Sequence, residues 1–210
     1  VSSLAAREPG LSHYAASKAA GEQALRASGV RNWVVVRPSA IYGPWDRETL
    51  AFFRAAAGPV LPVLGGGGAR ICLVHAADAA GAIVALCRGG PSAGCYEVSD
   101  AHHQGYGWRT MAGHALEAVG GNARIVRIPA MALRAAGAIA GAAATLRGES
   151  AMLTVPKTRE LLHEDWSSTP ERQPPAAVWR PGIDLQSGFA ETVAWYRQIG
   201  WLPDRVRRTL

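Results

Sequence analysis

Residues 14–22 read YAASKAAGE, and residues 32–37 read NWVVVR. Alanine, lysine and glutamate in the first stretch favour a helix, which we place over residues 14–28. The second stretch is a continuous run of β-branched residues, which is typical of a parallel strand buried on both faces. With a strand stub at residues 1–3, the first 44 residues predict a strand, a crossover helix and a second strand. The predicted fold class is therefore α/β, with a doubly wound parallel sheet.

The rest of the chain alternates helices with short strands before it becomes mostly helical. Pro38 and residues 42–44 have turn chemistry, which predicts that the preceding strand stops there. Residues 65–68 are four consecutive glycines, which we interpret as a hinge or loop. We place helices over residues 48–57, 76–87, 108–119 and 187–199, and strands over residues 71–74, 95–98 and 124–128.

Composition and charge exclude several classes of protein. The 210 residues are 49% hydrophobic and 18% charged, so the chain can bury a substantial core and is not disordered by composition. Lysine occurs only at Lys18 and Lys157, and the arginines behind the formal charge of +6 are scattered. They cluster only in the tail, at Arg205, Arg207 and Arg208. Without a basic stripe or interleaved aromatic residues, we expect no nucleic-acid partner.

The apolar segments and the cysteines point to an ordinary globular protein. The longest apolar helix candidate, over residues 131–146, is interrupted by Arg134 and is too short to span a membrane, so we expect no membrane partner. Cys72, Cys87 and Cys95 form no CxxC motif and lie in apolar runs, so we expect small buried residues. No secretory signal opens the chain, and we expect a cytoplasmic location.

The spacing of Tyr14 and Lys18 carries the chemistry. Residues four apart on a helix lie on the same face, so the lysine ammonium is expected near the tyrosine phenol. A free tyrosine has a pKa of about 10, and a nearby positive charge favours its phenolate, which makes the pair usable for proton transfer near neutral pH. Ser3 is the natural second donor, and Ser2 should face the other way. A packed tyrosine beside a solvated lysine is the alternative.

Further stretches extend this pattern along the chain. Residues 36–44 read VRPSAIYGP, residues 73–78 read LVHAAD, and residues 181–192 contain PGIDL followed by GFAET. In this order, with the tyrosine and lysine, they resemble the extended short-chain dehydrogenase/reductase family, also called the NAD-dependent epimerase/dehydratase family. The resemblance spans nearly the whole chain.

The resemblance implies a Rossmann-type sheet of which this chain holds the carboxyl-terminal part. The amino-terminal half, with its glycine-rich pyrophosphate turn, is expected to be missing. Residues 1–44 would be the carboxyl-terminal portion of the dinucleotide-binding domain, with the catalytic helix. Residues 45–210 would be mainly a smaller, mostly helical substrate lobe, interleaved with the last strands and helices of the Rossmann domain.

The resemblance also implies roles for particular residues. Ser3, Tyr14 and Lys18 would form the catalytic triad, and Tyr14 and Lys18 would also bind the cofactor, Lys18 through the nicotinamide ribose. Arg70 matches a position that contacts the substrate pyrophosphate in sugar-nucleotide epimerases, although a surface arginine is an equal alternative. Four residues would lie against the nicotinamide: Pro38, Ser39, Ala40 and Ile41.

The predicted function is that of an NAD(P)-dependent oxidoreductase or epimerase acting by hydride transfer on a secondary alcohol or ketone of a small-molecule substrate. NAD and NADP both stay open, because the residue that reads the ribose 2′ position belongs to the segment expected to be missing. Leu4 and Ala5 stand where the family's dehydratases carry an Asp-Glu pair, so dehydration is not expected. His102 and His103 have no third ligand at zinc spacing, so we expect no metal.

Three alternatives accompany this prediction. The first is a nucleotide-sugar epimerase proper, the second a non-catalytic accessory protein that binds the cofactor, and the third an inactive fragment. The resemblance also implies a homodimer, built partly on the helix that carries the tyrosine and lysine.

Overall fold

The structure is a computed structural model that describes residues 1–64, 68–147 and 154–204. Most of the four-glycine stretch and the arginine cluster of the tail lie outside the described residues. Within the described part, helices and strands alternate along the chain, and paired strands run parallel. The predicted α/β class with a parallel, Rossmann-type arrangement is confirmed.

The helices agree closely with the periodicity of the sequence. Helix α4 begins and ends at the predicted residues, and α1 begins one residue earlier than predicted. A short 3₁₀ helix, Leu4–Arg7, precedes α1. None of the helices in the described ranges is long and apolar enough to cross a bilayer. The helices are α1 (His13–Ala27), α2 (Leu50–Ala57), α3 (Ala76–Gly89), α4 (Trp108–Val119), α5 (Ala130–Arg147), α6 (Val155–Leu162) and α7 (Leu185–Gln198).

The strands form four parallel pairs. Strand β1 pairs with β6, β2 with β5, β3 with β7, and β4 with β8. The bounds are β1 (Val34–Pro38), β2 (Ala40–Tyr42), β3 (Val60–Leu64), β4 (Arg70–Ile71), β5 (Leu73–His75), β6 (Gly94–Val98), β7 (Arg124–Ile128) and β8 (Asp165–Trp166).

Three strand predictions need correction. Strand β1 ends at Pro38 and the chain turns at residues 43–44, as predicted, but the short strand β2 between them was not predicted. Strand β3 was not predicted either, because prolines occur before and within it. The single strand predicted over residues 71–74 is two strands with different partners, separated at Cys72. All three cases depend on pairing with strands that are distant in the sequence.

Residues 1–3, which were predicted to be a strand stub, form no strand in the structure but lie extended against β1; the name strand stub is kept for them below. The backbone N–H of Ser2 donates to the carbonyl oxygen of Val36 at 2.7 Å, and Ser3 has extended backbone angles. Ser3 therefore ends an extended segment that runs beside β1, and the 3₁₀ helix follows at once.

Two apolar clusters hold these elements together. In one, α3 packs against β1, β5 and β6, with Val36, Val74 and Val98 at its centre. The other joins α2, α4 and α7, and Tyr42 at the end of β2 belongs to it. The chain therefore passes from one cluster to the other between β1 and β2.

The free cysteines differ in exposure. Cys72 is buried, Cys95 is partly buried, and Cys87 is exposed in the last turn of α3, so the expectation of three buried cysteines is wrong for Cys87. Burial raises the pKa of Cys72 to about 12, and its thiol donates to the carbonyl oxygen of His103 at 2.8 Å. Cys72 is accordingly a packing residue.

A buried carboxylate joins α1 to β1. Glu22, on the inner face of α1, accepts two hydrogen bonds from Arg37 of β1, at 2.8 and 2.7 Å. It also accepts from Ser2 Oγ at 2.6 Å and from Arg26 at 3.1 Å. Burial acts to raise the pKa of Glu22, but the hydrogen bonds from Arg37 and Ser2 and the charge of Arg37 outweigh burial and leave that pKa lowered.

Replacing this carboxylate with an amide should destabilise the fold. We expect Glu22→Gln to lower the free energy of unfolding by about 3 kcal/mol at neutral pH, because it removes the close ion pair of the half-buried Arg37 and leaves only the longer one to Glu97, at 3.9 Å. Urea denaturation followed by circular dichroism measures the change, with the exposed Glu48→Gln as the matched control.

The pH dependence tests the cause of this loss. Because the pKa of folded Glu22 lies below the ordinary value of 4.5, its carboxylate contributes stability above that pH and loses it as the pH falls. The gap between parent and Glu22→Gln should therefore shrink under acid conditions. A gap that is the same at neutral and acid pH would contradict the ion-pair explanation.

Candidate active site

The amino-terminal end of α1 places the tyrosine and the lysine together. Ser12 caps the helix, since its Oγ accepts from the backbone N–H of Ala15 at 3.0 Å. Tyr14 and Lys18 therefore occupy the first turns, and the Lys18 Nζ lies 5.7 Å from the centroid of the Tyr14 ring. The Tyr14 side chain is 50% exposed, so the phenol can be reached from outside while a cation stands beside it.

The two serines of the strand stub have different environments. Ser2 Oγ donates to Glu22, so its proton is engaged in the link between the stub and α1. Ser3 Oγ accepts from the backbone N–H of Ala5 at 3.2 Å, and Ser3 donates none of the hydrogen bonds found among the described residues. Ser3 is therefore the serine whose proton is available. No hydrogen bond in the described part of the chain joins Ser3 to Tyr14.

The segment expected to face the nicotinamide lies where the chain changes strand partner. Pro38 ends β1, and the N–H of Ser39 donates to the carbonyl oxygen of Val98 at 2.9 Å. Ala40 and Ile41 then open β2 and are exposed. Ser39 is buried, and its Oγ has no hydrogen-bond partner. A buried hydroxyl without a partner indicates that a further polar group belongs beside it.

Arg70 lies on a separate element. It begins β4 and is exposed, and its backbone N–H donates to the carbonyl oxygen of Glu164 at 2.7 Å. Within the three described ranges, its guanidinium takes part in no hydrogen bond or ion pair. The structure does not join Arg70 to the tyrosine and lysine of α1.

A contact from α6 to the start of α1 was not predicted. The hydroxyl of Ser12, two residues before Tyr14, donates to the Oε1 atom of Glu160 on α6. Arg7 donates to the carbonyl oxygen of Ser167 at 2.5 Å, just beyond α6. Ser12 precedes a helical stretch and could have been recognised as a cap, but no sequence pattern identifies Glu160 as its partner. The contact between Ser12 and Glu160 places α6 beside the first turn of α1.

A charged cavity borders α1 without including Tyr14 or Lys18. Its volume is about 720 Å³, and α1, β1 and β6 contribute to its walls. Glu97 lies at its floor, with Arg7 and Arg172 each 3.6 Å away and Arg37 at 3.9 Å. Because Arg37 also pairs with Glu22 of α1, the cavity is part of the ion-pair network that anchors α1.

The histidines have structural positions. His75 is buried and caps α3, with its Nδ1 accepting from the N–H of Ala77 at 3.4 Å, as expected for a packed or capping residue. His102 stacks on Tyr106 with ring centroids 4.6 Å apart, and the Tyr106 hydroxyl donates to Asp100 at 2.7 Å. The described residues contain no group of three or more His, Cys, Asp or Glu side chains that could hold a metal ion.

Part of the chain matches a known protein family. Residues 3–99 match the model of the NAD dependent epimerase/dehydratase family. A protein of Caulobacter vibrioides named ceramide reductase is 45% identical over 207 residues, which cover 98% of this chain and 64% of that protein. This chain therefore spans less than two thirds of that relative's length.

Solved structures with the same fold include two enzymes of nucleotide-sugar metabolism. The UDP-glucose 4-epimerase of Thermus thermophilus, solved with NAD, is 23% identical, with a TM-score of 0.55 over 88% of this chain and 53% of that one. A dTDP-glucose 4,6-dehydratase of Streptomyces venezuelae, solved with NAD and TYD bound, is 24% identical, with a TM-score of 0.57 over 90% and 52% of the two chains. At these identities the likeness concerns the fold.

These matches confirm the family inferred from the sequence. Residues 3–99 carry the match to the NAD dependent epimerase/dehydratase family. Tyr14, Lys18, Ser3 and the segment opposite the expected nicotinamide all lie within the matched range.

The cap of α1 gives a test of how the site is held. We expect Ser12→Ala to lower the free energy of unfolding by about 1 kcal/mol, because the N–H of Ala15 and the carboxylate of Glu160 lose their partner. Thermal and urea denaturation measure the loss. The control is Ser17→Ala in the same helix, since Ser17 is exposed, bonds only to its own helix and should tolerate alanine. Equal stability of the two variants would contradict the role given to Ser12.

Proposed function

We propose that the protein containing this chain is an NAD(P)-dependent oxidoreductase that reduces the carbonyl group of a ceramide-type lipid. The observation that carries the proposal is the exposed Tyr14 phenol with the Lys18 ammonium beside it at the start of α1. The substrate class comes from the name of the Caulobacter relative, which is 45% identical over nearly the whole of this chain.

The residues of the chain are compatible with a nicotinamide cofactor. The buried Ser39 Oγ lacks a partner at the segment that would lie against the ring, and Ala40 and Ile41 beside it are exposed. Tyr14 and Lys18 would bind the nicotinamide ribose from α1, and Pro38 would complete the wall. When bound, the cofactor supplies the hydride for the carbonyl carbon. The cofactor is NAD or NADP.

Each side chain of the proposed triad has a different role in the transfer of the proton. Tyr14 gives its phenolic proton to the substrate oxygen as that atom gains negative charge, and takes the proton back in the reverse direction. Lys18 stabilises the phenolate that remains. Ser3 donates a hydrogen bond to the same substrate oxygen and so holds it in place. Catalysis of this kind uses only groups at the surface of α1 and the end of the strand stub.

The division of the chain belongs to the same proposal. Residues 1–44 would form the carboxyl-terminal portion of the dinucleotide-binding domain, and residues 45–210 would be mainly the substrate lobe. The interleaving expected between them is supported by α3, which lies beyond residue 44 and packs against β1. A homodimer and a cytoplasmic location complete the proposal.

Removing the phenolic hydroxyl should abolish turnover. We expect Tyr14→Phe in the full-length protein to lower kcat by about two to four orders of magnitude, with binding of the reduced cofactor retained. The measurement is the oxidation of NADH or NADPH with a lipid ketone, together with a fluorescence titration of cofactor binding. Full activity of Tyr14→Phe would refute the proposed mechanism, and cofactor binding with no turnover in the parent would favour a non-catalytic accessory protein.

The two serines provide an internal control. Ser3→Ala should lower kcat by roughly a hundredfold with little change in stability. Ser2→Ala should lower the free energy of unfolding by about 1–2 kcal/mol, because Glu22 loses a hydrogen bond, while folded enzyme keeps its turnover. The opposite pattern would assign the donor role to Ser2.

A nucleotide-sugar epimerase is the second candidate, and the unpaired guanidinium of exposed Arg70 favours it. An epimerase that binds a substrate pyrophosphate through Arg70 should lose at least about tenfold in substrate affinity when Arg70→Ala is introduced. The lipid reductase proposed here should be unaffected. Substrate KM values for the parent, Arg70→Ala and the exposed control Arg31→Ala decide between the two.

A further inference from the structure

Among the described elements, helix α5 makes its main contacts with α6. Its inner face contacts α6, where Leu133 is buried and Gly137 lies so close that an added Cβ would be 2.6 Å from the Cγ2 of Thr158. This close approach holds the two helices together as a pair. The pair is in turn joined to α1 through Glu160 and Ser12.

The other face of α5 is apolar and exposed. Met131 is 80% exposed and Ile139 is 70% exposed. At about 100° per residue, three exposed alanines fall on the same side of the helix as these two. A helix that is apolar on nearly every side is normally buried, so this face needs a cover that the described residues do not provide. The three alanines are Ala135, Ala138 and Ala142.

The chain segment that contains this face carries charge of one sign. Residues 124–147 contain four arginines and no aspartate or glutamate. Arg124 and Arg127 lie on β7, directly before α5, and Arg134 and Arg147 lie on the helix itself. All four are exposed. An apolar helical face beside arginines is the pattern of a helix that lies in the interface of an anionic membrane.

We propose that α5 lies along the surface of an anionic phospholipid bilayer, with Met131, Ile139 and the exposed alanines inserted among the lipid chains and the arginines against the phosphates. The sequence excluded a helix that crosses a membrane, and a helix in the plane of the surface needs a different pattern. A second copy of the chain fits this face less well, because pairing two such faces would bring like charges together.

This orientation gives the bilayer a defined place relative to the candidate site. Helix α6 contacts α5 on one side and Ser12 on the other, so one helix separates the proposed membrane surface from the first turn of α1. The inference stands on burial and charge and does not rest on the proposed reaction. A membrane surface close to the candidate site would suit an enzyme that acts on a lipid substrate.

Flotation with lipid vesicles tests the proposal. The protein should bind vesicles of phosphatidylglycerol mixed with phosphatidylcholine, and bind phosphatidylcholine alone about tenfold more weakly. The double variant Met131→Glu/Ile139→Glu should bind the mixed vesicles at least about tenfold more weakly than the parent. Both changed positions are exposed, and circular dichroism checks that the fold is kept.

The control is Val84→Glu, which adds the same charge at an aliphatic residue of α3 that is 46% exposed. It should bind vesicles nearly as well as the parent. Three results would overturn the proposal: no binding by the parent, equal binding by the parent and the double variant, or a double variant that changes only the oligomeric state in gel filtration. Tyr14→Phe should bind vesicles like the parent, so failure of the proposed reaction leaves this test intact.

Discussion

The position of the candidate site depends on the buried carboxylate of Glu22. It receives Arg37 from β1, Ser2 from the strand stub and Arg26 from its own helix. A buried charge is costly unless it is paired and hydrogen-bonded, and here both carboxylate oxygens are. These hydrogen bonds fix the orientation of α1 and its position relative to β1. Tyr14 and Lys18 follow on the same helix, and Ser3 follows Ser2 along the stub.

The second constraint is the change of strand partner after β1. Strand β1 pairs with β6 and packs on α3, whereas β2 pairs with β5 and ends at Tyr42 in the other core. Ser39 lies between the two pairs, and this explains how its hydroxyl becomes buried without a partner while the next residues stay exposed. The segment proposed to face a nicotinamide is thus held from both sides by strand pairing.

Helices α5 and α6 lie between the start of α1 and the outer surface of the molecule. Helix α6 reaches the cap of α1 through Glu160, and α5 packs on α6 with Gly137 at the contact. The proposed proton chemistry needs only the first turns of α1 and the end of the stub, while the choice of substrate needs the parts that surround them. Helix α5, apolar on its exposed face, is separated from the first turn of α1 by α6, and this arrangement is consistent with a substrate that resides in a membrane.

Local patterns in the sequence were enough to predict most of the helices from their periodicity and strand β1 from its β-branched run. The order of the motifs was enough to predict the family. None of these patterns depends on which residues are in contact in the folded protein. Helix α4 and strand β7 were predicted to the residue. The tertiary structure alone decided the rest. Strands β2 and β3 exist through distant partners despite prolines and glycines nearby, Cys87 faces outward, and Glu22 meets Arg37 and Ser2 only when α1 crosses β1. Burial and hydrogen bonding between distant residues leave no local pattern, and the site's geometry depends on them.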